Sequence, residues 1–216
     1  MKKQFDFSLY LVTDQGACLG RELPAVIRQA VRGGVTAVQL REKQAQTRQF
    51  VELAGKVKAL LADTQIPLII NDRVDVALAA GADGVHLGQE DMDVRDARKI
   101  MGPDMILGLS VNAPEQVQEA NNLAVDYFGA GPIFPTPTKK DHKTPLGEQG
   151  LQVVVKASQK PVVAIGAITA ENCPAVCKTG VAGIAVVSAI CSAASPEKAA
   201  RGLKACLAAQ GTRYPL

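Results

Sequence analysis

Short apolar segments alternate with amphipathic segments eight times along the chain, and this alternation most constrains its fold. Most of the short segments are continuous runs of Val, Ile and Leu, a pattern typical of strands covered on both faces. Strand–helix alternation of this kind predicts a parallel sheet with helices outside it. The predicted strands are Leu9–Asp14, Ala37–Glu42, Pro67–Asp72, Gly84–Gln89, Ile106–Ser110, Tyr127–Pro132, Val162–Ala167 and Gly183–Ser188.

The intervening segments carry apolar residues at three- and four-residue spacing, as in Arg48–Ala62, and several of them begin near a proline or end at a glycine. The 216 residues form eight strand–helix units of about 27 residues each, which is compact but sufficient for a (β/α)₈ barrel. No linker divides the chain, and the longest irregular segment is Phe134–Gly147. We therefore predict an α/β fold, a single-domain TIM barrel over residues 1–216. The other predicted helices are Glu22–Arg32, Arg73–Ala80, Val94–Met101, Pro114–Leu123, Gln149–Ser158, Glu171–Lys178 and Pro196–Ala208.

Composition excludes several classes of protein. An apolar content of 47% with a net charge of only +3 excludes an intrinsically disordered chain. No block of basic residues forms a surface for nucleic acid. The longest apolar stretches, such as Val162–Ile168, are far shorter than the ~20 residues of a membrane helix, and no apolar region follows Lys2 and Lys3 as in a signal peptide. We expect a cytoplasmic protein that binds neither nucleic acid nor membrane.

Five cysteines are too few and too dispersed for a disulfide scaffold, which fits a reducing compartment. Cys173 and Cys177 are four residues apart, but Pro174 lies between them and no further Cys or His pair follows. We therefore favour small buried apolar side chains over a zinc site. The sequence leaves the oligomeric state open, and a homo-oligomer is compatible with it.

Two cations follow the second predicted strand. Because side chains alternate along a strand, Gln39, Arg41 and Lys43 are expected on one side, at the carboxyl end of the barrel where active sites of this fold lie. An arginine fork and a lysine there suit a phosphate or diphosphate. The alternatives are an internal ion pair between Arg41 and a glutamate, and a solvated Lys43.

Two carboxylates follow the neighbouring third and fourth strands. Asp72 and Asp91 could share one Mg²⁺, which prefers one or two carboxylates together with substrate phosphates and water. The alternative is that each caps the helix that follows it. Asp14 and Asp75 are weaker candidates, and we interpret them as a strand-end contact and a first-turn helix acid.

Later strand ends add further polar groups. Ser110 ends the fifth strand, and the segment after the sixth strand carries Thr136, Thr138 and Lys139, which are candidate ligand contacts unless this is a surface loop without a role. His142 among lysines is interpreted as solvated, and His86 as an interior histidine rather than a catalytic base.

The last two strands end where barrels of this type bind phosphate through backbone N–H groups. Gly166-Ala167 follows the seventh strand and Val187-Ser188 follows the eighth. A phosphate zone here and a second one at Arg41 predict two phosphorylated ligands, or one ligand with two phosphorylated ends.

Several motifs together resemble those of the thiamine phosphate synthase family. They are VQLREK (38–43), IIND (69–72), GADGVHLGQEDM (81–92), LGLS (107–110), GPIFPTPTK (131–139) and AVVSAI (185–190). The similarity runs from about residue 9 to 205, in order and with matching spacing, and the GVHLGQED and GPxFxTxTK motifs are highly specific.

The resemblance implies a TIM-barrel transferase that joins an aminopyrimidine methyl diphosphate to a hydroxyethylthiazole phosphate, with Mg²⁺ as cofactor and no protein nucleophile. Asp72 and Asp91 would bind the Mg²⁺, and Arg41, Lys43, Lys139 and Ser110 would be catalytic. The residues that would hold the pyrimidine diphosphate are Gln39, Arg41, Lys43 and Asn71, and those that would contact its pyrimidine or diphosphate are Ser110 and Lys139. The residues that would bind the thiazole phosphate are Thr136, Thr138, Gly166, Ala167, Val187 and Ser188, and further substrate-binding residues would be Leu40, Glu42 and Pro137.

One position departs from the family pattern, because Gly166-Ala167 stands where the family usually has Gly-Gly. The Ala167 methyl group limits both the approach of a phosphate and the allowed backbone angles. Two other functions are considered: a thiazole tautomerase of the same barrel family, which would need an acid/base residue instead of a diphosphate–metal site, and a non-catalytic binder of thiamine phosphates.

Overall fold

Eight parallel strands close into a barrel in sequence order in the computed structural model, which describes residues 5–136 and 144–211. The last strand pairs with the first, with Leu9 opposite Ile184. Each predicted strand segment contains an observed strand, and the predicted TIM barrel is confirmed. The strands are β1 (Leu9–Val12), β2 (Ala37–Leu40), β3 (Leu68–Asn71), β4 (Gly84–Leu87), β5 (Ile106–Val111), β6 (Tyr127–Ala130), β7 (Val162–Ile165) and β8 (Gly183–Val186).

Helices surround this barrel, and each predicted helical segment overlaps one of them, with bounds that differ by at most three residues. Two short elements were not predicted, because neither is long enough to show a helical period: a 3₁₀ turn at Gly16–Cys18 and α8 at Ser188–Cys191. The helices are α1 (Leu23–Arg32), α2 (Thr47–Leu61), α3 (Val74–Ala79), α4 (Val94–Met101), α5 (Pro114–Ala120), α6 (Gly147–Ala157), α7 (Cys173–Cys177), α8 and α9 (Pro196–Ala209).

Every strand is buried on both faces, which explains the continuous apolar runs. Alternate side chains of the strands, with Phe7, form an inner cluster that fills the barrel. The other strand side chains, such as Leu40, belong to a larger cluster that includes helix residues such as Phe50. The inner cluster comprises Phe7, Tyr10, Val12, Ala37, Ile69, Ile106, Tyr127, Val163 and Ala185.

All five cysteines are free thiols. Cys18, Cys173 and Cys191 are buried as predicted, whereas Cys177 and Cys206 are half-buried. The Cys173 and Cys177 sulfur atoms are 3.8 Å apart. In the part of the chain that the structure describes, no helix has the length and hydropathy needed to cross a membrane.

Candidate active site

A cavity of ≈ 130 Å³ opens at the carboxyl ends of the strands. Arg41 and Ser110 line it on one side, and residues that follow β7 and β8 line it on the other. The structure therefore brings together seven of the residues that the sequence predicts for the site: Arg41, Ser110, Thr136, Gly166, Ala167, Val187 and Ser188.

Arg41 is fixed at this opening by contacts with the end of β1. Its backbone N–H donates to Thr13 Oγ1 at 3.0 Å, and its Nη1 atom donates to Asp14 Oδ2 at 3.2 Å. The arginine therefore has an internal carboxylate partner, as the alternative interpretation required, but the partner is Asp14 rather than a glutamate. Arg41 also lines the cavity, and a guanidinium has five N–H donors, so a ligand can still be bound by donors other than the one that contacts Asp14.

The neighbours of Arg41 lie in different environments. The Leu40 side chain is buried in the larger apolar cluster, so only its backbone is available to a ligand. Glu42 accepts the backbone N–H of Gln44 at 2.8 Å. Gln39 and Asn71 are buried at the strand ends, where Gln39 donates to the Tyr10 hydroxyl. The substrate contacts expected of these four residues stay predictions.

Asp72 and Asp91 lie side by side at the ends of β3 and β4. The pKa of the Asp91 carboxyl is raised because the group is partly buried and because it contacts the Asp72 carboxylate. Asp91 also accepts the Gly88 N–H at 2.6 Å, and Lys43 donates to Asp72. The structure thus places the two carboxylates and the Lys43 ammonium group together on the rim of the barrel, which is the edge formed by the carboxyl ends of the strands.

Neither carboxylate caps a helix, so the alternative interpretation of the pair is wrong. The N-cap of α3 is Arg73, and the N-cap of α4 is Asp93, which accepts the Arg95 N–H. Asp72 instead has a φ of 63°, in the left-handed region that aspartate tolerates better than most residues. The side chains of the pair are therefore available to a ligand at the rim.

Asp75 lies in the first turn of α3, as predicted, and pairs with Arg73. Within residues 5–136 and 144–211, no three or more Asp, Glu, His or Cys side chains are placed to hold a metal. A cation between Asp72 and Asp91 would therefore take its remaining ligands from substrate and water.

Backbone groups form the opposite side of the cavity. Gly166 and Ala167 both have positive φ, and the Asn172 side chain holds their loop by donating to the Ala167 carbonyl oxygen at 3.0 Å. The short helix α8 begins at Ser188, and no side chain caps its N-cap residue, Val187. The first N–H groups of a helix lack partners within the helix, so this side of the cavity suits a phosphate.

Arg21 supports α8 from behind and was not singled out in the sequence. Its guanidinium donates to the carbonyl oxygens of Cys191 and Ala193 at 2.6 and 2.7 Å, where α8 ends. The same side chain donates to Cys18 in the 3₁₀ turn. No periodicity or motif links residues so far apart in the chain, so the sequence carried no signal for this contact.

Ser110 reaches the cavity from β5, and its backbone carbonyl oxygen accepts from Gln89 Nε2 at 2.6 Å. His86 lies inside the barrel with both ring nitrogens in hydrogen bonds, to Ser110 and to Tyr127, which confirms that it is an interior histidine. The predicted site residues Pro137, Thr138 and Lys139, together with His142, lie outside the described residues.

The alanine at position 167 gives a testable prediction. Ala167 has a φ of 49°, which is unfavourable for any residue with a Cβ, and it lines the cavity where a phosphate is predicted to bind. For the thiazole phosphate that the family resemblance implies, Ala167→Gly is expected to lower the KM by about fivefold, because relief of a steric contact worth ~1 kcal/mol changes affinity by about that factor. Steady-state kinetics with that substrate varied would measure it, with the KM for the pyrimidine substrate as the control. A higher KM for the thiazole phosphate would mean that the methyl group contributes to binding.

The chain was compared with families and proteins of known description. Residues 9–190 match the family model described as thiamine monophosphate synthase. The chain is 52% identical over 197 residues to a thiamine-phosphate synthase of Vibrio parahaemolyticus, covering 91% of this chain and 96% of that protein. It is 53% identical over 196 residues to one of Albidiferax ferrireducens, covering 91% and 90%.

Solved structures agree with the sequence comparison. The thiamine phosphate pyrophosphorylase of Pyrococcus furiosus superposes with a TM-score of 0.87 at 39% identity, covering 95% of this chain and 97% of that one. A structure of 3-hexulose-6-phosphate synthase superposes with a TM-score of 0.66 at 19% identity, a likeness of fold alone. On its sequence, its barrel and its relatives, the chain belongs to the thiamine monophosphate synthase family of enzymes.

Proposed function

We propose that the chain joins an aminopyrimidine methyl diphosphate to a hydroxyethylthiazole phosphate, or to its carboxylated or tautomeric form, giving thiamine phosphate and diphosphate, with release of carbon dioxide from the carboxylated form. One observation carries the proposal. The Asp72–Asp91 pair with Lys43 and Arg41 lies at the same barrel end as a cavity backed by the backbone loops after β7 and β8. Two phosphorylated substrates need two separate phosphate-binding regions, and these two groups of residues would supply them. The relatives described as thiamine-phosphate synthase and thiamine phosphate pyrophosphorylase support the same reaction.

The diphosphate would bind at the ends of β2–β4. Arg41 is held by Asp14 and lines the cavity, and Lys43 lies against Asp72. Both cations would offset the negative charge that develops as the diphosphate leaves, a contribution that grows toward the transition state. The Lys139 ammonium is predicted to add a third positive charge.

A magnesium ion fits the Asp72–Asp91 pair. Both ligand groups are hard carboxylate oxygens, and burial together with mutual repulsion raises the pKa of Asp91, so a divalent cation would relieve an unfavourable charge. When bound, Mg²⁺ would supply charge neutralisation to the diphosphate oxygens. Asp72 and Asp91 would hold it, with Lys43 beside the carboxylates.

The chemistry does not require a nucleophile on the protein. Loss of diphosphate would leave a positive charge on the pyrimidine methylene carbon, which the aminopyrimidine ring delocalises until the thiazole nitrogen attacks. The cavity would hold the thiazole against this carbon and exclude water, with its phosphate at Gly166, Ala167 and α8.

The decisive test is diphosphate release by the purified protein supplied with Mg²⁺ and both substrates. We expect release of one diphosphate for each thiamine phosphate, with loss of activity when the metal is chelated. Each substrate alone with the protein is the control for background hydrolysis. Turnover that persists after chelation would remove the metal from the proposal. Isomerisation of a carboxylated thiazole without diphosphate release would favour the tautomerase, and binding of thiamine phosphate without turnover would favour the binder.

A further inference from the structure

A chain of hydrogen bonds crosses the inside of the barrel from β2 to β5. Gln39 Nε2 donates to the Tyr10 hydroxyl at 3.0 Å, and the Tyr10 and Tyr127 hydroxyl oxygens are 3.0 Å apart. Tyr127 Oη lies 2.9 Å from His86 Nδ1, and His86 Nε2 lies 2.8 Å from Ser110 Oγ. The chain thus connects two residues predicted to bind the pyrimidine substrate, Gln39 at one end and Ser110 at the other.

The barrel is shaped to hold this chain. Tyr10 and Tyr127 are almost fully buried, and His86 is 8% exposed. A Cβ on Gly108 would lie 2.3 Å from the Tyr127 ring and 2.5 Å from His86 Nδ1, and a Cβ on Gly129 would lie 2.8 Å from His86 Cε1. Two strand positions therefore carry no side chain where the phenol and imidazole rings need the space.

The chemistry of the donors gives the chain one direction. The Gln39 amide nitrogen can only donate, so the Tyr10 oxygen accepts. Among the residues that the structure describes, the other partner of the Tyr10 hydroxyl is Tyr127, so a buried Tyr10 proton is satisfied only if Tyr10 donates to Tyr127. Tyr127 then donates to His86 Nδ1. Burial raises the pKa of both phenols, so both keep their protons.

The remaining bonds follow from this direction. His86 Nδ1 must be unprotonated to accept from Tyr127, so the imidazole is neutral and carries its proton on Nε2. That nitrogen donates to Ser110 Oγ, which uses the serine oxygen as an acceptor. The Ser110 proton is then turned to the cavity that Ser110 lines.

We propose that Tyr10, Tyr127 and His86 are positioning residues that make Ser110 a hydrogen-bond donor to an acceptor atom of the pyrimidine substrate. Through the same bonds they hold Gln39 at the other end of the chain. The identity of the ligand rests on the proposed function, whereas the direction of the hydrogen bonds does not.

The protonation of His86 tests the direction without any substrate. The sequence contains two histidines, His86 and His142, so ¹⁵N-labelled histidine gives a simple spectrum in which a His142→Asn variant assigns the signals. We expect the neutral tautomer with its proton on Nε2 in the wild-type protein. The tautomer protonated on Nδ1, or an imidazolium at neutral pH, would overturn the proposal.

Two tyrosine variants each remove one hydroxyl group, at neighbouring positions in the chain of hydrogen bonds. Tyr127→Phe removes the donor to His86 Nδ1, so we expect the Nε2–H tautomer to lose its dominance. Tyr10→Phe leaves the bond between Tyr127 and His86 in place, so the Nε2–H tautomer is expected to persist. Identical spectra for these two variants would contradict the order of the chain. If Tyr127→Phe does not fold, the wild-type spectrum and Tyr10→Phe still decide the direction.

Kinetics tests whether the chain acts through Ser110. Tyr127→Phe and Ser110→Ala are each expected to lower kcat/KM for the pyrimidine substrate by about tenfold, roughly the value of one hydrogen bond. The double variant should lose little more than either single variant, because both changes remove the same donor. Losses that multiply to about a hundredfold would overturn the proposal.

Phe7→Leu is the matched control for packing. The Phe7 ring lies against Tyr127 and Tyr10, with centroids 4.5 and 5.5 Å away, and carries no hydroxyl. This variant is expected to keep the Nε2–H tautomer, and its effect should multiply with that of Ser110→Ala. If no variant and no wild-type preparation releases diphosphate while His86 shows the expected tautomer, the proposed reaction fails and the hydrogen-bond direction stands.

Discussion

Replacing Asp91 by asparagine is expected to slow diphosphate release by about 10²- to 10⁴-fold, because a metal ligand that neutralises a leaving group contributes several kcal/mol to the transition state. The side chain keeps its shape, and the asparagine oxygen can still accept the Gly88 N–H that Asp91 now accepts at 2.6 Å. The substitution therefore removes the negative charge of Asp91 while keeping its hydrogen bond to Gly88. Initial rates at saturating substrates, measured across a Mg²⁺ titration, give the effect.

The free energy of unfolding distinguishes a role of Asp91 in metal binding from a role in stabilising the fold. The pKa of Asp91 is raised in the folded protein, by burial and by Asp72, so ionisation of this carboxyl lowers the stability of the metal-free protein as pH rises through that pKa. Asparagine removes this unfavourable charge. Urea denaturation at neutral pH in the presence of a chelator should therefore give Asp91→Asn a free energy of unfolding equal to or above that of the wild type. A marked loss of stability would assign Asp91 a structural role.

Asp75→Asn is the matched control. Asp75 is a nearby carboxylate that pairs with Arg73, and its side chain is 60% exposed. Exposed ion pairs contribute about 0–1 kcal/mol, so this variant should keep both its stability and its Mg²⁺ dependence within a small factor of the wild type. Equal losses of activity in Asp75→Asn and Asp91→Asn would mean that general negative charge, rather than a metal site, explains the effect.

The sequence predicted the barrel and its rim because both follow from local patterns. Strands buried on both faces appear as apolar runs, and parallel closure brings all eight strand ends to one edge, so residues such as Asp72 and Asp91 are neighbours whatever their separation in the chain. The capping alternative for Asp72 could not be settled this way, because a helix can begin one or two residues later than its pattern indicates. The observed start of α3 at Val74 decided it.

Contacts inside the barrel and backbone angles were not predictable from the same patterns. The bond between Tyr10 and Tyr127 joins residues on strands β1 and β6, which are not neighbours in the sheet, and the Tyr127 ring depends on space left by Gly108 on β5. In the sequence these tyrosines are indistinguishable from ordinary core aromatics. The positive φ of Asp72 was likewise not predictable: this residue lies in a tight turn, where the Arg73 N–H donates to the Asn71 carbonyl oxygen at 2.8 Å, while its own N–H donates to the His86 carbonyl oxygen at 2.9 Å.

The glycine that precedes Ala167 has a stronger backbone requirement. Gly166 has a φ of 119°, and a Cβ there would lie 2.7 Å from both the Ile133 nitrogen and the Pro132 Cα. These are backbone atoms of the segment after β6, so they cannot move aside as a flexible side chain would. Gly166→Ala is therefore expected to lower the free energy of unfolding by about 3 kcal/mol, from backbone strain and steric overlap together.

The same substitution should act on one substrate more than on the other. The segment that the new methyl group would displace lines the cavity beside Ala167 and α8, where the thiazole phosphate is proposed to bind, whereas Asp72 and Asp91 lie at other strand ends. We expect the KM for the thiazole phosphate to rise by at least about tenfold in any folded fraction, since a displacement that breaks one phosphate hydrogen bond costs more than 1 kcal/mol. The KM for the pyrimidine substrate should change less.

The Gly81→Ala variant is the control that distinguishes backbone strain from steric overlap at Gly166. Gly81 also has a positive φ, of 61°, but no atom beyond its chain neighbours lies within 4 Å of the added Cβ, and it follows α3 away from the cavity. That variant should lose only the ~1 kcal/mol of an alanine in the left-handed region and should keep both KM values. Urea denaturation of the two variants beside the wild type measures the difference. Equal losses of stability would show that the segment after β6 yields to the methyl group, and they would contradict the expected steric overlap at Gly166.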